Sequence, residues 1–334
     1  MKKFIISLIK YIIIPNILML TTIYLFDVFQ LRDFQDYYLD QTVDKNRSFI
    51  TANTYLNNRK NEKFNSFIFG SSRSHAFKCK NWDNYLATDS KSFHFDGSGE
   101  GLWNIHKKVK FLDELGDSIK NALIIIDHNT LKNTKPRYEH IYIEHPRISK
   151  GSWIIFYYQF IKINYNWKFF VPIIDYKIFK VYRNYMRGSI NNKKYNDISN
   201  NINCDIWYGE DEHLRNDSLG YYDAYLLSTF YERSKKQKYA SSIITNDEII
   251  QLNEIRNIFD KHKTTYKIVI SPLYDQLQIG KKQEGLIRNI FGTKNVYNFS
   301  GINRFTTFIQ NYYENSHYKP LVANKIMKTI YYKN

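Results

Sequence analysis

Apolar residues are unevenly distributed along the chain, and the first long apolar run lies at the amino terminus. Residues 4–26 are apolar at nearly every position, and residues 11–26 carry no charge. About 20 mainly apolar residues are enough for a helix to cross the hydrocarbon core of a bilayer. The pattern therefore predicts a transmembrane helix over residues 1–26, with Lys10 close enough to its start for the ammonium group to reach the headgroups.

Charges that flank this run indicate its orientation. Three lysines precede it or lie in its first half, whereas three aspartates and one arginine follow it within residues 27–36. Because positive charge is retained in the cytoplasm, we expect a cytoplasmic amino terminus and a body exported to the periplasm or the cell surface. A cleaved signal peptide is the alternative, but the small residues of a cleavage site do not follow the run. The sequence favours an uncleaved single-pass anchor.

The rest of the chain alternates short apolar runs with longer amphipathic segments, after a polar, tyrosine-rich stretch over residues 27–60 that we interpret as a juxtamembrane stalk. The apolar runs predict strands at residues 66–69, 92–95, 122–126, 267–270 and 295–299. Apolar residues recur at helical spacing over residues 101–115 and 246–262, where Asn246 is the expected N-cap. Alternating strands and helices predict an α/β domain with a mostly parallel sheet over residues 61–334.

Residues 131–245 interrupt this alternation, and we interpret them as a helical insertion between the third and fourth strands. Within it, residues 153–182 are aromatic and aliphatic, but charged residues divide them into pieces too short to cross a bilayer. We favour a pair of core-packing helices broken near Pro172. A segment that lies on a membrane surface is the alternative.

Composition narrows the classes of partner. The 334 residues carry a formal net charge of +16, which suits an acidic polymer, an anionic membrane surface or nucleic acid. The basic residues are scattered, with no zinc spacing, helix-turn-helix pattern or arginine-rich arm, so we do not expect nucleic-acid binding. Cys79 and Cys204 are too few for a disulfide framework and wrongly spaced for a metal site, and we predict neither metal nor cofactor. We expect two buried or exposed thiols, with a single bridge as the alternative.

A serine follows the first predicted strand in the run FIFGSSRS, residues 67–74. Ligands of open α/β sheets bind beyond the carboxyl ends of the strands, where backbone N–H groups at the start of the next helix stabilise an anion. Ser72 is therefore our candidate nucleophile. A plain turn of small residues is the alternative interpretation of this segment.

A histidine and an acid lie near the carboxyl end, in the run YYENSHYKP, residues 312–320. A serine hydroxyl is a weak nucleophile at neutral pH, so it needs an imidazole to take its proton and an acid to fix the imidazole tautomer. His317 is the candidate base, and Glu314 is the candidate acid. We therefore expect Ser72 and His317 to lie within or near hydrogen-bond distance in the folded chain.

Together, GSSR after the first strand and ExxHY before the last helix resemble the first and last blocks of the SGNH/GDSL hydrolases. The resemblance covers residues 61–334 apart from the insertion, and it implies a flavodoxin-like three-layer α/β/α sandwich. It places the family's nucleophile at Ser72 and the family's base at His317. Ser71 stands where the family usually has aspartate, and Glu314 stands where the family's acid is also aspartate.

The same resemblance implies three donors to an oxyanion. Two are backbone N–H groups, one of Ser72 and one of Gly99, with Gly97 as the alternative to Gly99. The third block of the family normally reads GxND, and here it reads IDHN. Asn129 is the candidate side-chain donor, and Asp127 is either the alternative at this block or a structural cap at the strand end. The missing glycine departs from the family's pattern and puts the third donor in doubt.

The layout of an amino-terminal span, a GSSR-like block and a late ExxHY is similar to that of envelope SGNH proteins that act on acylated polymers, including the D-alanyl transfer proteins of teichoic acid synthesis. The resemblance implies a serine-dependent esterase or O-acyltransferase acting on a cell-envelope or extracellular polysaccharide. Expected partners are the acylated polymer, the bilayer around the amino-terminal helix and, as a candidate, a membrane-bound acyltransferase. The alternative is a catalytically inactive SGNH-like binding or scaffold protein of an envelope polymer assembly complex.

Overall fold

The computed structural model describes residues 1–32, 42–191, 203, 214–222, 224–241 and 243–332. Helix α1 (Lys2–Phe26) is long and apolar enough to cross a membrane, and none of its most apolar window is buried by the rest of the protein. A π-helical turn over Ile9–Ile13 precedes Pro15, a residue that lacks the N–H of a regular helix. The predicted apolar helix is confirmed, and its orientation and retention stay predictions.

A five-stranded parallel sheet forms the centre of the α/β domain. The strands along the chain are β1 (Ser66–Gly70), β2 (Ser92–Asp96), β3 (Asn121–Ile126), β4 (Lys238–Tyr239), β5 (Thr265–Ile270), β6 (Leu277–Gln278), β7 (Val296–Asn298), β8 (Tyr312–Glu314) and β9 (His317–Tyr318). The central sheet has the order β2-β1-β3-β5-β7. The two-residue strands β4 and β6 pair in parallel, and β8 and β9 form an antiparallel pair. The five strands predicted from sequence are those of the central sheet, to within two residues at each end.

Further helices follow α1 along the described chain. They are α2 (Arg47–Glu62), α3 (Cys79–Asp83), α4 (Leu102–Glu114), α5 (His128–Lys132), α6 (Pro146–Ser149), α7 (Trp153–Asn164), α8 (Trp167–Phe179), α9 (Ser218–Tyr221), α10 (Ala224–Thr229), α11 (Asn246–His262), α12 (Lys281–Phe291) and α13 (Pro320–Tyr331). A 3₁₀ turn, Ser72–Ala76, directly follows β1. Helices α5 to α10 fall between β3 and β5, where the sequence indicated a helical insertion.

Helices cover both faces of the sheet. Successive side chains of a strand point to opposite faces, so Phe69 and Ile124 lie on one face while Ile68 and Leu123 lie on the other. The first face packs against α2, α4, α11 and α12, and the second packs against α3 and α13. The domain is therefore a three-layer α/β/α sandwich, in which the inner strands β1 and β3 are mainly apolar on both sides because both sides are covered.

Two boundaries differ from those predicted. Helix α2 lies within the segment interpreted as a stalk, yet Ala52 and Tyr55 are fully buried in the main core, so this part belongs to the domain. Helix α11 has Thr245 rather than Asn246 as its N-cap, because the Thr245 hydroxyl accepts a hydrogen bond from the Glu248 N–H at 3.1 Å.

The break in the aromatic segment lies elsewhere than expected. Helices α7 and α8 are separated at Tyr165 and Asn166, and Pro172 lies inside α8. A proline inside a helix leaves the carbonyl four residues earlier without its usual partner. Here that carbonyl belongs to Lys168, and the Ser189 hydroxyl donates to it at 3.1 Å. The tertiary contact satisfies the carbonyl, and the helix continues through the proline.

Cys79 is buried and disulfide-bonded, so the interpretation of it as a simple thiol is wrong. Cys204, the other cysteine of the chain, lies outside the described residues. Disulfides persist mainly in oxidising compartments outside the cytoplasm.

Candidate active site

Ser72 begins the 3₁₀ turn at the carboxyl end of β1. Gly70, the last residue of β1, has a φ of +154°, and a Cβ there would lie 2.8 Å from the Ile125 carbonyl oxygen and 2.9 Å from the Ser74 Cβ. Only glycine fits this close approach, which lets the chain turn sharply out of the sheet. The Ser71 hydroxyl then caps the turn by accepting from the Arg73 N–H. Ser72 is thereby left half-buried at the edge of the sheet.

The structure brings the three residues predicted as nucleophile, base and acid into one hydrogen-bonded series. His317 Nε2 lies 2.8 Å from Ser72 Oγ, and His317 Nδ1 is hydrogen-bonded to Glu314 Oε1. Glu314 ends β8, His317 begins β9, and the two residues are paired across this short hairpin. In this arrangement one imidazole nitrogen faces the hydroxyl while the other faces a carboxylate. The catalytic roles of these residues stay predictions.

The Glu314 carboxylate is suited to fix the imidazole tautomer. Burial would raise the pKa of Glu314, but the hydrogen bond and charge of His317, together with the Ser316 N–H, hold that pKa below its ordinary value. An ionised carboxylate only accepts, so it favours the tautomer with the proton on Nδ1 and leaves Nε2 to accept from Ser72. The side chains of His317 and Glu314 remain 23% and 24% exposed, so a ligand has access to them.

Arg73, which the sequence analysis did not single out, joins three parts of the site. Its Nε donates to the Ser316 carbonyl at 3.3 Å, and its Nη1 is paired with the Asp127 carboxylate. Arg73 follows the candidate nucleophile directly, so its guanidinium ties the 3₁₀ turn to the His317 hairpin and to the end of β3. The one signal in the sequence was its place beside Ser72.

Asp127 is a structural cap. One of its carboxylate oxygens accepts from the N–H groups of Asn129 and Thr130, at 2.8 and 3.0 Å, and so caps α5. Burial would raise the pKa of Asp127, but the charge of Arg73 outweighs burial and holds that pKa below its ordinary value. An ionised carboxylate cannot donate to an oxyanion. The cap is therefore the interpretation that the structure supports, and an oxyanion role for Asp127 is not supported.

The candidate backbone donors differ in whether their N–H groups are already hydrogen-bonded. The Gly97 N–H donates to the Gly70 carbonyl at 3.3 Å, so the alternative at Gly97 is already engaged. The N–H groups of Ser72 and Gly99 donate no hydrogen bond within the described part of the chain. Gly99 is exposed and has a φ of +52°, a conformation that glycine adopts without strain. These two N–H groups are therefore open to a ligand, and their role as oxyanion donors stays a prediction.

Asn129, the candidate side-chain donor, is exposed at the start of α5. Its backbone N–H is engaged by Asp127, whereas its side-chain amide has no hydrogen-bond partner among the residues described. The amide is therefore available to a ligand, although the glycine that precedes it in the family's pattern is missing.

Comparisons with known proteins do not assign this chain to a family. No family model matches the chain, and no curated protein matches its sequence. In the described residues, no group of three or more His, Cys, Asp and Glu side chains is arranged to hold a metal ion.

A second serine–histidine pair lies directly behind the first and differs from it in access. Ser74 Oγ is 2.7 Å from His94 Nε2, but both side chains are fully buried. Ser74 uses its hydroxyl hydrogen to donate to the Ser71 carbonyl, so His94 is the donor in the pair. Burial also lowers the pKa of His94 to about 3. A neutral histidine that donates cannot take a proton from the serine, and the pair supports the turn that carries Ser72.

A buried carboxylate connects this turn to the rest of the domain. Asp96, at the end of β2, accepts two hydrogen bonds from Arg47, at 2.9 and 3.0 Å, and lies 2.6 Å from His75 Nε2. Burial would raise the pKa of Asp96, but Arg47 and His75 hold it well below its ordinary value. His75 belongs to the 3₁₀ turn, so its contact with Asp96 fixes the buried side of the turn that carries Ser72.

A buried lysine anchors the glycine-rich loop that follows β2. Lys108 Nζ donates to the Asp96 carbonyl at 2.7 Å and lies 2.8 Å from Glu100 Oε1 and 4.0 Å from Glu144. Only two cations, Lys108 and Arg47, lie among three buried carboxyl groups, those of Asp96, Glu100 and Glu144. One of the three carboxyl groups is therefore expected to keep its proton. Burial raises the pKa of Glu100 to about 8, with Lys108 opposing and Glu144 adding to the shift. The loop that presents Gly99 is therefore fixed from its buried side.

The raised pKa of Glu100 predicts a pH-dependent stability. The folded chain binds this proton more tightly than the unfolded chain, whose carboxyl has its ordinary pKa of 4.5. The stabilising contribution is therefore fully present below that pH and is lost as the pH rises through about 8. We expect Glu100→Gln to flatten the fall of the unfolding temperature over this range, measured by circular dichroism. The exposed Glu139→Gln is the control, and a slope in Glu100→Gln equal to that of the wild type would contradict the assignment.

Proposed function

We propose that this chain is a serine-dependent acyl ester hydrolase or O-acyltransferase of the SGNH type, acting on an acylated envelope or extracellular polysaccharide. The observation that carries the proposal is the series Glu314–His317–Ser72, which lies half-exposed at the carboxyl edge of a parallel sheet. Numbered among themselves, the five central strands have the order 2-1-3-4-5. This is the order of flavodoxin-like sheets, in which ligands bind at the carboxyl ends of strands 1 and 3, and it supports the SGNH-type fold.

The proposed reaction proceeds in two acyl transfers. Ser72 Oγ attacks the ester carbonyl carbon while its proton passes to His317 Nε2, and the carbonyl oxygen becomes an oxyanion held by the N–H groups of Ser72 and Gly99. The C–O bond to the alcohol then breaks, and His317 returns the proton to the departing oxygen. Water or a sugar hydroxyl attacks the acyl-serine in the same way and regenerates Ser72. Each correctly placed oxyanion donor contributes about 2.7–4 kcal/mol to comparable reactions.

Three features support an exported site and a polymeric substrate. Helix α1 has the length and composition of a membrane span, and the disulfide of Cys79 suits an oxidising compartment. The net charge of +16 raises the local concentration of an acidic polymer. The proposed site of action is therefore the outer side of the membrane, with a membrane-bound acyltransferase as a candidate donor of acyl groups.

The series Glu314–His317–Ser72 predicts how substitutions affect catalysis. Ser72→Ala and His317→Ala should each abolish turnover of a small acetyl ester, and the double variant should be no worse, because residues that act as one unit lose nearly everything with the first deletion. Glu314→Gln should be milder, since glutamine removes the charge but can keep a hydrogen bond to the ring. Initial rates of acetate release from the ester, with and without a glycan acceptor that carries free hydroxyl groups, separate hydrolysis from transfer.

Covalent labelling provides the control for this series. A fluorophosphonate probe should label the wild type and the loop variant Ser98→Ala, but not Ser72→Ala or His317→Ala. Labelling that persists in Ser72→Ala would place the nucleophile elsewhere. A folded wild type that neither labels nor turns over ester would favour the inactive scaffold instead.

The charges along and after α1 predict the membrane topology of the chain. Because the lysines lie in the first half of α1, a reporter enzyme that is active only outside the cytoplasm should be active when fused after Asn334. A reporter that is active only in the cytoplasm should be inactive at the same position. The opposite pattern would contradict the exported site and its envelope substrate.

A further inference from the structure

Helices α7 and α8 form a two-helix hairpin, Trp153 to Phe179, with one buried side and one exposed apolar side. Phe156, Phe160 and Ile173 are buried in a cluster with residues that follow α1. The opposite side exposes large apolar side chains: Ile154 by 82%, Trp167 by 69%, Ile178 by 60%, Phe179 by 60% and Tyr158 by 56%. Contiguous apolar surface of this kind marks a site of contact with a protein or a membrane.

The hairpin packs against α1 through a polar contact inside the apolar helix. The Tyr165 hydroxyl, at the turn between α7 and α8, donates to Asn16 Oδ1 at 2.6 Å. The amide nitrogen of Asn16 donates to the Ile12 carbonyl at 2.8 Å. Both ends of this amide are thereby paired, as a polar side chain requires in a bilayer, where water does not replace a missing partner.

Distances along α1 place the hairpin at membrane depth. The ring of Phe29, just beyond α1, lies 5.2 Å from that of Phe160 and 5.5 Å from that of Phe169. Asn16 precedes Phe26 by ten residues, which is about 15 Å along a helix. The hairpin turn therefore lies beside the domain-side half of α1. If α1 crosses a bilayer, anything packed against that half shares its surroundings.

We propose that the α7–α8 hairpin inserts into the outer leaflet beside α1 and contacts lipid acyl chains with its exposed apolar side. Helices α7 and α8 have 12 and 13 residues, or roughly 18–20 Å each, so neither crosses a hydrocarbon core of about 30 Å. The hairpin is a second, non-spanning membrane contact. This goes beyond the proposed reaction and depends on α1 as a span.

The charges around the hairpin fit a lipid surface rather than a water-exposed protein face. Residues 175–187, at and beyond the end of α8 that lies away from the hairpin turn, contain four lysines and arginines and one acid, Asp175. That aspartate is already bonded to Arg183 and Tyr185. Long basic side chains can lie along apolar surface and extend their charges to anionic headgroups. The excess of positive charge therefore favours lipid over a second copy of this equally basic chain.

Quenching of tryptophan fluorescence tests the insertion in the full-length protein. The protein is reconstituted into phosphatidylcholine and phosphatidylglycerol vesicles whose acyl chains carry bromine, a quencher that acts on contact. We expect the brominated lipid to quench wild-type emission, and the double variant Trp153→Tyr/Trp167→Tyr to lose most of the quenched part. The matched variant Trp103→Tyr, altered in α4 of the sandwich, should keep it. Ser72→Ala should behave as the wild type, so the result is independent of catalysis.

Two outcomes would overturn the proposal. Lipid quenching that is the same in the double variant and the wild type would show that the hairpin does not contact lipid. Quenching that appears only when the protein is highly diluted with lipid would show that a second copy covers this side at ordinary densities. Quenching at Trp153 and Trp167 that does not depend on the lipid-to-protein ratio supports insertion.

Discussion

The arrangement of the candidate site depends on one buried carboxylate, that of Asp96. Removing a charge from water is costly, and the cost is offset only when the partners are close and the remaining lone pairs are bonded. Arg47 supplies two hydrogen bonds, His75 approaches the same group, and Lys108 binds the adjoining carbonyl. Loss of one partner of such a group costs about 3–5 kcal/mol, because the other charge is left uncompensated. The turn of Ser72 and the glycine-rich loop are held by this group.

The topology of the sheet explains why residues so far apart in sequence meet. In the order β2-β1-β3-β5-β7, the chain leaves β1 and β3 side by side, so the segments that follow them lie at one edge of the sheet. Ser72 follows β1 and Asp127 follows β3, and Arg73 joins the two. The same arginine binds the Ser316 carbonyl beside His317. The late hairpin is thus held against the turn of Ser72 by the Arg73 side chain and by the contact between His317 and Ser72.

Local patterns were sufficient for the strands, the main helices and the meeting of Ser72 with His317, because each leaves a signal within a few residues. Local patterns were insufficient to predict the buried contacts among Asp96, Glu100 and Lys108. Lys108 lies three residues after Ile105 and four before Leu112, on the apolar face of α4, but this spacing does not reveal the buried carboxyl groups of Glu100 and Glu144 near it. The continuation of α8 through Pro172 likewise depends on a hydroxyl from a later segment. Features that depend on tertiary partners were the ones that the sequence did not predict.

The position of the site relative to the membrane follows from helix α2, the element for which the sequence indicated a stalk. Its first turns contribute Arg47 to the buried carboxylate and Phe49 to the apolar cluster that contains Phe29 and Phe156. The rings of Phe49 and Phe156 lie 5.5 Å apart. One rigid helix therefore contacts both the group that holds the candidate nucleophile and the group that adjoins α1 and the α7–α8 hairpin. If α1 crosses a bilayer, packing rather than a flexible linker sets the height of Ser72 above it, and the proposed acceptor polymer would have to reach the site at a defined distance from the membrane surface.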